Sequence, residues 1–344
     1  MRTRTVILLL ASAVIAAQAI TVNESFDYES RDCFRIETSS ATYLYDKRGG
    51  GFTSIIDADG NDWISYHHDG SSNQAGEYRG IPNLGGCCHP GYPEIASGKA
   101  TMTSTIEEQS SSYVKILSVS GNNAWRTSWE FYEDHATLTV LSVPSGTEYY
   151  VLYEGTPGGQ DGLSADDFYV TSDNRRRPIT TCFNNSCSSP NERLQEPDWI
   201  FFSGKQLKRS LLLIQQDHDD ILDCYWIMNS PAPGNMTVFG FGRDGRGAAT
   251  ALTKTPNTFH VALIEDTTHA AGAAAASAIM SGTATRNNRA GHSPTRHSPH
   301  TATGARFDIR GRRLGDERRG GSGRAAGIVL VPGTAECRVV ILGR

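Results

Sequence analysis

Between residues 34 and 264, apolar side chains recur at every second position in short runs, and Gly, Asn and Asp interrupt the runs. A period of two is the mark of strands with one face turned to a core. Strands are predicted at Phe34–Thr38, Thr42–Asp46, Phe52–Asp57, Thr101–Glu107, Tyr113–Ser120, Trp125–Tyr132 and Ala136–Ser142. The pattern continues through Tyr149–Glu154, Trp199–Phe202, Ser210–Gln215, Cys224–Met228, Met236–Gly242 and Thr258–Ile264. In WRTSWEFY, alternation puts Trp125, Thr127, Trp129 and Phe131 on one face and Arg126, Ser128, Glu130 and Tyr132 on the other. The segment from Asp57 to Asn61 (DADGN) reads as a hairpin turn. Only His269–Met280 (HAAGAAAASAIM) reads as a helix, through its alanine content. Many short strands and one helix predict an all-β chain built as a large antiparallel β-sandwich.

The two ends depart from this pattern. Arg2 and Arg4 precede an apolar stretch from Val6 to Ala17, and Ala17-Gln18-Ala19 has the small-x-small form of a cleavage site. Residues 1–19 are therefore expected to be a signal peptide, and the protein to be exported to the cell surface or beyond. No other segment reaches about 18 apolar residues, so no transmembrane segment is expected after cleavage. The sandwich is expected over 20–282, followed by a disordered basic linker over 283–304 and a small β-module over 305–344. Export makes isolated disulfides plausible among the seven cysteines; Cys182 and Cys187 are spaced to close a ring, and Cys87 and Cys88 are adjacent.

The net charge of −5 conceals an asymmetry. Residues 286–324 carry ten arginines against three carboxylates. Setting these aside, with the two leader arginines and the +1 of the last twenty residues, leaves roughly −15 on residues 20–285. A body of that sign does not suit nucleic acid, and it tolerates a polyanion only where a local cation offsets the field.

Two stretches resemble known families. Phe307-Asp308-Ile309-Arg310-Gly311-Arg312, then Ala326-Gly327-Ile328-Val329-Leu330 and a closing run at Arg338–Leu342, is similar to the C-terminal sorting domain of type IX secretion and to the Ig-like module of flagellar hook-capping proteins. That resemblance covers about forty residues, with Val329 where an aromatic is usual, and implies the outer-membrane secretion machinery as a partner. The opening TYLYDKRGGGFTSIIDADGNDWISY resembles galactose-mutarotase-like sandwiches. It implies a supersandwich of the kind found in carbohydrate-active proteins.

Polar chemistry gathers in HHDGSSNQAGEYRGIPNLGGCCHPGY, His67 to Tyr92. A loop of about 25 residues between strands is usually functional. His67, His68, Tyr78, Arg79 and His89 are the catalytic candidates. Tyr92, Arg126, Glu130, Tyr132, Tyr153, Glu154 and Arg243 are candidates for substrate contact. In QQDHDDILD, Asp217, Asp219, Asp220 and Asp223 offer oxygen ligands for Ca2+, although the spacing is not that of an EF-hand. There is no G-x-S-x-G, P-loop, H-E-x-x-H or dinucleotide fingerprint. The expectation is a carbohydrate-active protein with a polysaccharide partner, first a lyase that cleaves a uronate polymer by β-elimination. A glycoside hydrolase using two of Glu77, Glu130, Glu154 and Asp161, or a non-catalytic binding or adhesion protein, are the alternatives.

Overall fold

The computed structural model describes residues 19–68, 76–91, 101–159, 162–179, 193–228, 234–243 and 250–282, together with the backbone of two strands near the C-terminus. The chain divides into two compact units, Met1–Gly291 and His292–Arg344.

In the first unit, β1 (Thr21–Tyr28), β2 (Arg31–Glu37), β3 (Ala41–Asp46), β4 (Gly51–Asp57) and β5 (Gly80–Asn83) follow one another in space as in sequence. A second meander holds β6 (Met102–Gln109), β7 (Val114–Ser120), β8 (Arg126–Phe131) and β9 (His135–Ser142). Then come β10 (Val151–Gly155), β11 (Asp167–Thr171), β12 (Arg176–Pro178), β13 (Trp199–Gly204), β14 (Ser210–Gln215), β15 (Cys224–Met228), β16 (Met236–Phe241) and β17 (Asn257–Ile264). One sheet runs β1-β2-β3-β4-β5-β10-β16-β15, and the other β12-β11-β13-β14-β17-β9-β8-β7-β6. Every ladder between these strands is antiparallel. The fold is thus an antiparallel β-sandwich, as the alternation predicts. In the second unit, β18 (Ile328–Leu330) pairs antiparallel with β19 (Val339–Ile341).

The inward aromatic row of β8 meets the first meander across the sandwich. Trp129 packs on Phe52 at 4.3 Å between centroids, and Phe131 meets Tyr43 at 5.4 Å. Truncating one such ring to alanine typically costs about 3–5 kcal/mol. Two smaller clusters lie outside this interior. The helix α1 (His269–Met280) is capped by Thr268, whose side chain accepts from the Ala271 amide, and lays Ala276 and Ile279 against Trp199, Phe201, Leu212 and Ile214. On the outer face of the eight-stranded sheet, Tyr150, Leu152, Met236 and Val238 form the third cluster, with Tyr78 and Met228 packed against it. Strands β10 and β16 are therefore buried on both faces.

Candidate active site

Alternation along β10 sends Val151 and Tyr153 into the sandwich interior and Leu152 and Glu154 to the outer face. Beside it, β5 is short and irregular. Leu152 pairs with Asn83 and Glu154 with Gly80, with a register shift between them. That shift brings the Asn83 amide within reach, and its Nδ2 donates to Glu154 Oε2 at 3.2 Å.

His89 arrives from the loop that follows β5. Cys87 and Cys88 are joined in a disulfide, a link their adjacency alone did not suggest. Beyond them, the Gly91 amide donates to Asp46 Oδ2 at 2.7 Å, and the Tyr66 hydroxyl donates to the Gly91 carbonyl at 3.0 Å. The tethered loop places His89 Nε2 at 3.0 Å from Glu154 Oε2. His89 is 2% exposed and Glu154 6%. Nδ1 lies 2.9 Å from the Pro90 carbonyl, which can only accept, so Nδ1 carries a hydrogen. The contact between Nε2 and Oε2 then holds one further proton. It is either imidazolium with carboxylate or imidazole with carboxylic acid, and the two forms differ only in where that proton sits. Glu154 Oε1 makes no hydrogen bond with the described side chains.

Arg243 follows β16 on the same outer face. Its guanidinium lies 5.3 Å from the centroid of Trp226 and donates to the Val238 carbonyl at 3.5 Å. Burial lowers its pKa, while the charges of Glu154 and Tyr150 oppose that shift. Burial, and then the charge of Glu154, push the Tyr150 phenol up to about 12. An acid–base pair, a cation, an amide and three aromatic rings thus converge on one face of β5, β10, β16 and β15.

Of the expected residues, His89, Glu154 and Arg243 meet here, with Tyr78 packed on the adjoining cluster. The rest of the expected constellation does not join them. His67 faces Glu29 at 3.9 Å, and His68 lies 3.3 Å from the Tyr66 hydroxyl. Arg79 is completely enclosed and donates to the Ser65 carbonyl, so it braces the loop rather than facing a substrate. Tyr153 points into the interior, its hydroxyl on the Trp63 carbonyl at 2.6 Å. Arg126, Glu130 and Tyr132 belong to the other sheet's β8 segment, where Arg126 bonds Asn123 and Tyr132 bonds Glu130. Tyr92 and Asp161 lie outside the described residues.

The acidic turn does not assemble as a calcium site either. Asp217 pairs with Lys254, Asp219 accepts from Gln215 and the Ile221 amide, and Asp223 is buried and accepts from the Gly242 amide. Among the described residues, no three His, Cys, Asp or Glu side chains are grouped to hold a metal ion.

Asn83, Tyr150 and Trp226 escaped the sequence reading. Tyr150-Leu152-Glu154 and Trp226-Met228 do share a face by alternation, which is the one available signal. Asn83 carried none, because IPN does not read as a strand.

No family model matches the chain, and no curated protein matches it. Among solved structures, the protein HI1317 overlaps 71% of this chain and 99% of its own, at 11% identity and a TM-score of 0.43. A galactose mutarotase related enzyme from Lactobacillus acidophilus overlaps 66% and 95%, at 10% identity and a TM-score of 0.38. A glycoside hydrolase of family 81 from Clostridium thermocellum overlaps 78% of this chain and 27% of its own, at 11% identity and a TM-score of 0.34.

Proposed function

We propose that the protein is a carbohydrate-active enzyme whose reaction runs through the His89–Glu154 pair, and that this reaction is β-elimination on a uronate-containing polysaccharide. The contact at 3.0 Å carries the reading, because a buried pair sharing one proton is the equipment of general acid–base catalysis. Trp226, Tyr150 and Tyr78 supply aromatic faces of the kind that cover the apolar side of a pyranose. Arg243 is the local cation that a uronate needs in a body of roughly −15.

In this reaction Glu154 takes the C5 proton, and the C5–H electrons become the C4–C5 double bond. The C4–O bond breaks with its electrons on oxygen, and the pair returns a proton to that oxygen. Arg243 balances the charge that builds on the uronate carboxylate as C5 loses its proton. Hydrolysis needs a second carboxyl at a defined separation. Glu130 sits on the opposite sheet, hydrogen-bonded to Tyr132, which leaves Glu77, in the turn Gly76–Tyr78, as the described carboxyl open to the hydrolase alternative.

The new double bond is conjugated to the carboxylate and absorbs in the ultraviolet, so a panel of uronate polymers tests the reading directly. His89→Ala and Glu154→Gln should each lower the rate of absorbance increase about 10²-fold or more, with affinity-gel retardation by the polymer retained. Reducing ends without the chromophore would make the enzyme a hydrolase. Retardation with neither signal would leave a binding protein.

A further inference from the structure

A second polar pocket, of about 390 Å³, opens where the start of β13, the end of β14 and the last turn of α1 meet. Glu196, Pro197, Asp198, Gln216, His218 and Met280 line it. None of them belongs to the site around His89.

Asp198 is the central group. It is 4% exposed, and its backbone is fixed by the Gln215 amide, which donates to the Asp198 carbonyl at 2.9 Å. Oδ2 receives His218 Nδ1 at 2.8 Å, while Oδ1 is buried without a hydrogen-bond partner. Burial lifts the Asp198 carboxyl to about 6 despite the opposing pull of His218. With Nδ1 committed to Asp198, the other ring nitrogen of His218 has no hydrogen-bond partner among the described residues. Gln216 closes one wall, its amide held between His260 Nε2 at 2.7 Å and the Met280 carbonyl at 3.5 Å.

Charge is unbalanced around the pair. Glu196 and Asp220 both act electrostatically on His218, and neither side chain makes a hydrogen bond or salt bridge among the described residues. Lys254, the described cation that ion-pairs with this loop, is taken by Asp217 at 2.7 Å. The pocket therefore offers an excess of carboxylate oxygens, between the apolar surfaces of Pro197 and Met280. Its donors do not group as a metal site, which leaves an organic cation as the complementary ligand.

We propose that this pocket binds a primary ammonium group on a short aliphatic or sugar body. An ammonium brings three N–H donors and no acceptor, which matches the carboxylates of Glu196 and Asp198. Its carbon body lies between Pro197 and Met280. The ligand class covers amino sugars and lysine-like amines.

Calorimetric titration of the full-length protein near pH 7.5 tests this with n-pentylammonium against 1-pentanol, which keeps the apolar body and removes the charge. D-glucosamine against N-acetylglucosamine, and Nα-acetyl-lysine amide, separate the two sources of amine. At least one ammonium probe should bind saturably with one-to-one stoichiometry, about ten-fold or more tighter than its neutral counterpart, as one charge-assisted hydrogen bond is worth. Glu196→Gln, at an exposed position without hydrogen bonds, should keep the fold and weaken binding several-fold. Asp198→Asn should abolish binding if it folds. Absence of saturable ammonium binding, equal binding of a neutral counterpart, or affinity unchanged in Glu196→Gln would each overturn the proposal.

Discussion

Asp46 ties together pieces of chain that are far apart in sequence. Its carboxylate accepts from Arg31 Nε at 3.1 Å, from the Arg48 amide at 3.0 Å and from the Gly91 amide at 2.7 Å. The ion pair with Arg31 is buried, and breaking such a pair by removing one partner costs about 3–5 kcal/mol. A different carboxyl carries the opposite sign. Burial lifts Asp167 to about 6, although the Ser164 amide donates to it at 2.7 Å. A folded pKa above the unfolded value of about 4 means that this group favours folding in acid. That contribution is complete below about pH 4 and is lost as pH rises through about 6. Asp167→Asn keeps an oxygen for the Ser164 amide and removes the buried charge. It should stabilise the protein at pH 7 by up to about 2 kcal/mol and leave it unchanged near pH 4. Urea melts at both values read the difference, and equal shifts at the two pH values would contradict it.

The elements legible in sequence are those with an alternating or a continuous apolar run. The apolar runs over Ser210–Gln215 and Cys224–Met228 give those strands to the residue, and the alanine run gives α1. Four strands were not legible, and the reasons differ. β1 is a polar edge strand whose side chains are mostly exposed, so nothing alternates. β5 contains Gly80 and Pro82, which mark a loop in sequence, yet it sits between β4 and β10. β11 (DFYVT) holds only three apolar residues between an Asp and a Thr, and β12 is three residues of arginine and proline. The site suffers from the same gap. His89 and Glu154 stood among the candidates, but their partnership passes through β5, and periodicity carries no information on which distant segments pair.

The close approach that admits β5 can be tested alone. A Cβ on Gly51 would run into the Ile81 carbonyl and Pro82 Cδ, next to the pairing of Phe52 with Ile81. Gly51→Ala should therefore destabilise the protein by about 2–4 kcal/mol, whereas Gly121→Ala, which meets nothing, should stay within about 0.5 kcal/mol. Equal melting of the two variants would mean that β4 and β5 can separate without cost.

On the scale of the whole molecule, two sheets share one aromatic interior and carry separate polar sites on their outer faces. Ile20 belongs to that interior, and its amide donates to the Ser111 carbonyl at 2.7 Å. We expect export to cleave the chain after Ala19, so that mass spectrometry of the secreted protein reads Ile20 at its N-terminus. Retention of Met1–Ala19 would remove the signal peptide. The pairing of β5 with β10, finally, bears on when the His89–Glu154 contact can form. A ribosome that has released His89 has not yet made Glu154, and Arg243 comes later still. No nascent fragment shorter than 154 residues contains both His89 and Glu154, and a chain held unfolded in transit keeps them apart. The cluster around His89, Glu154 and Arg243 is therefore assembled only when β10, β16 and β15 join the eight-stranded sheet.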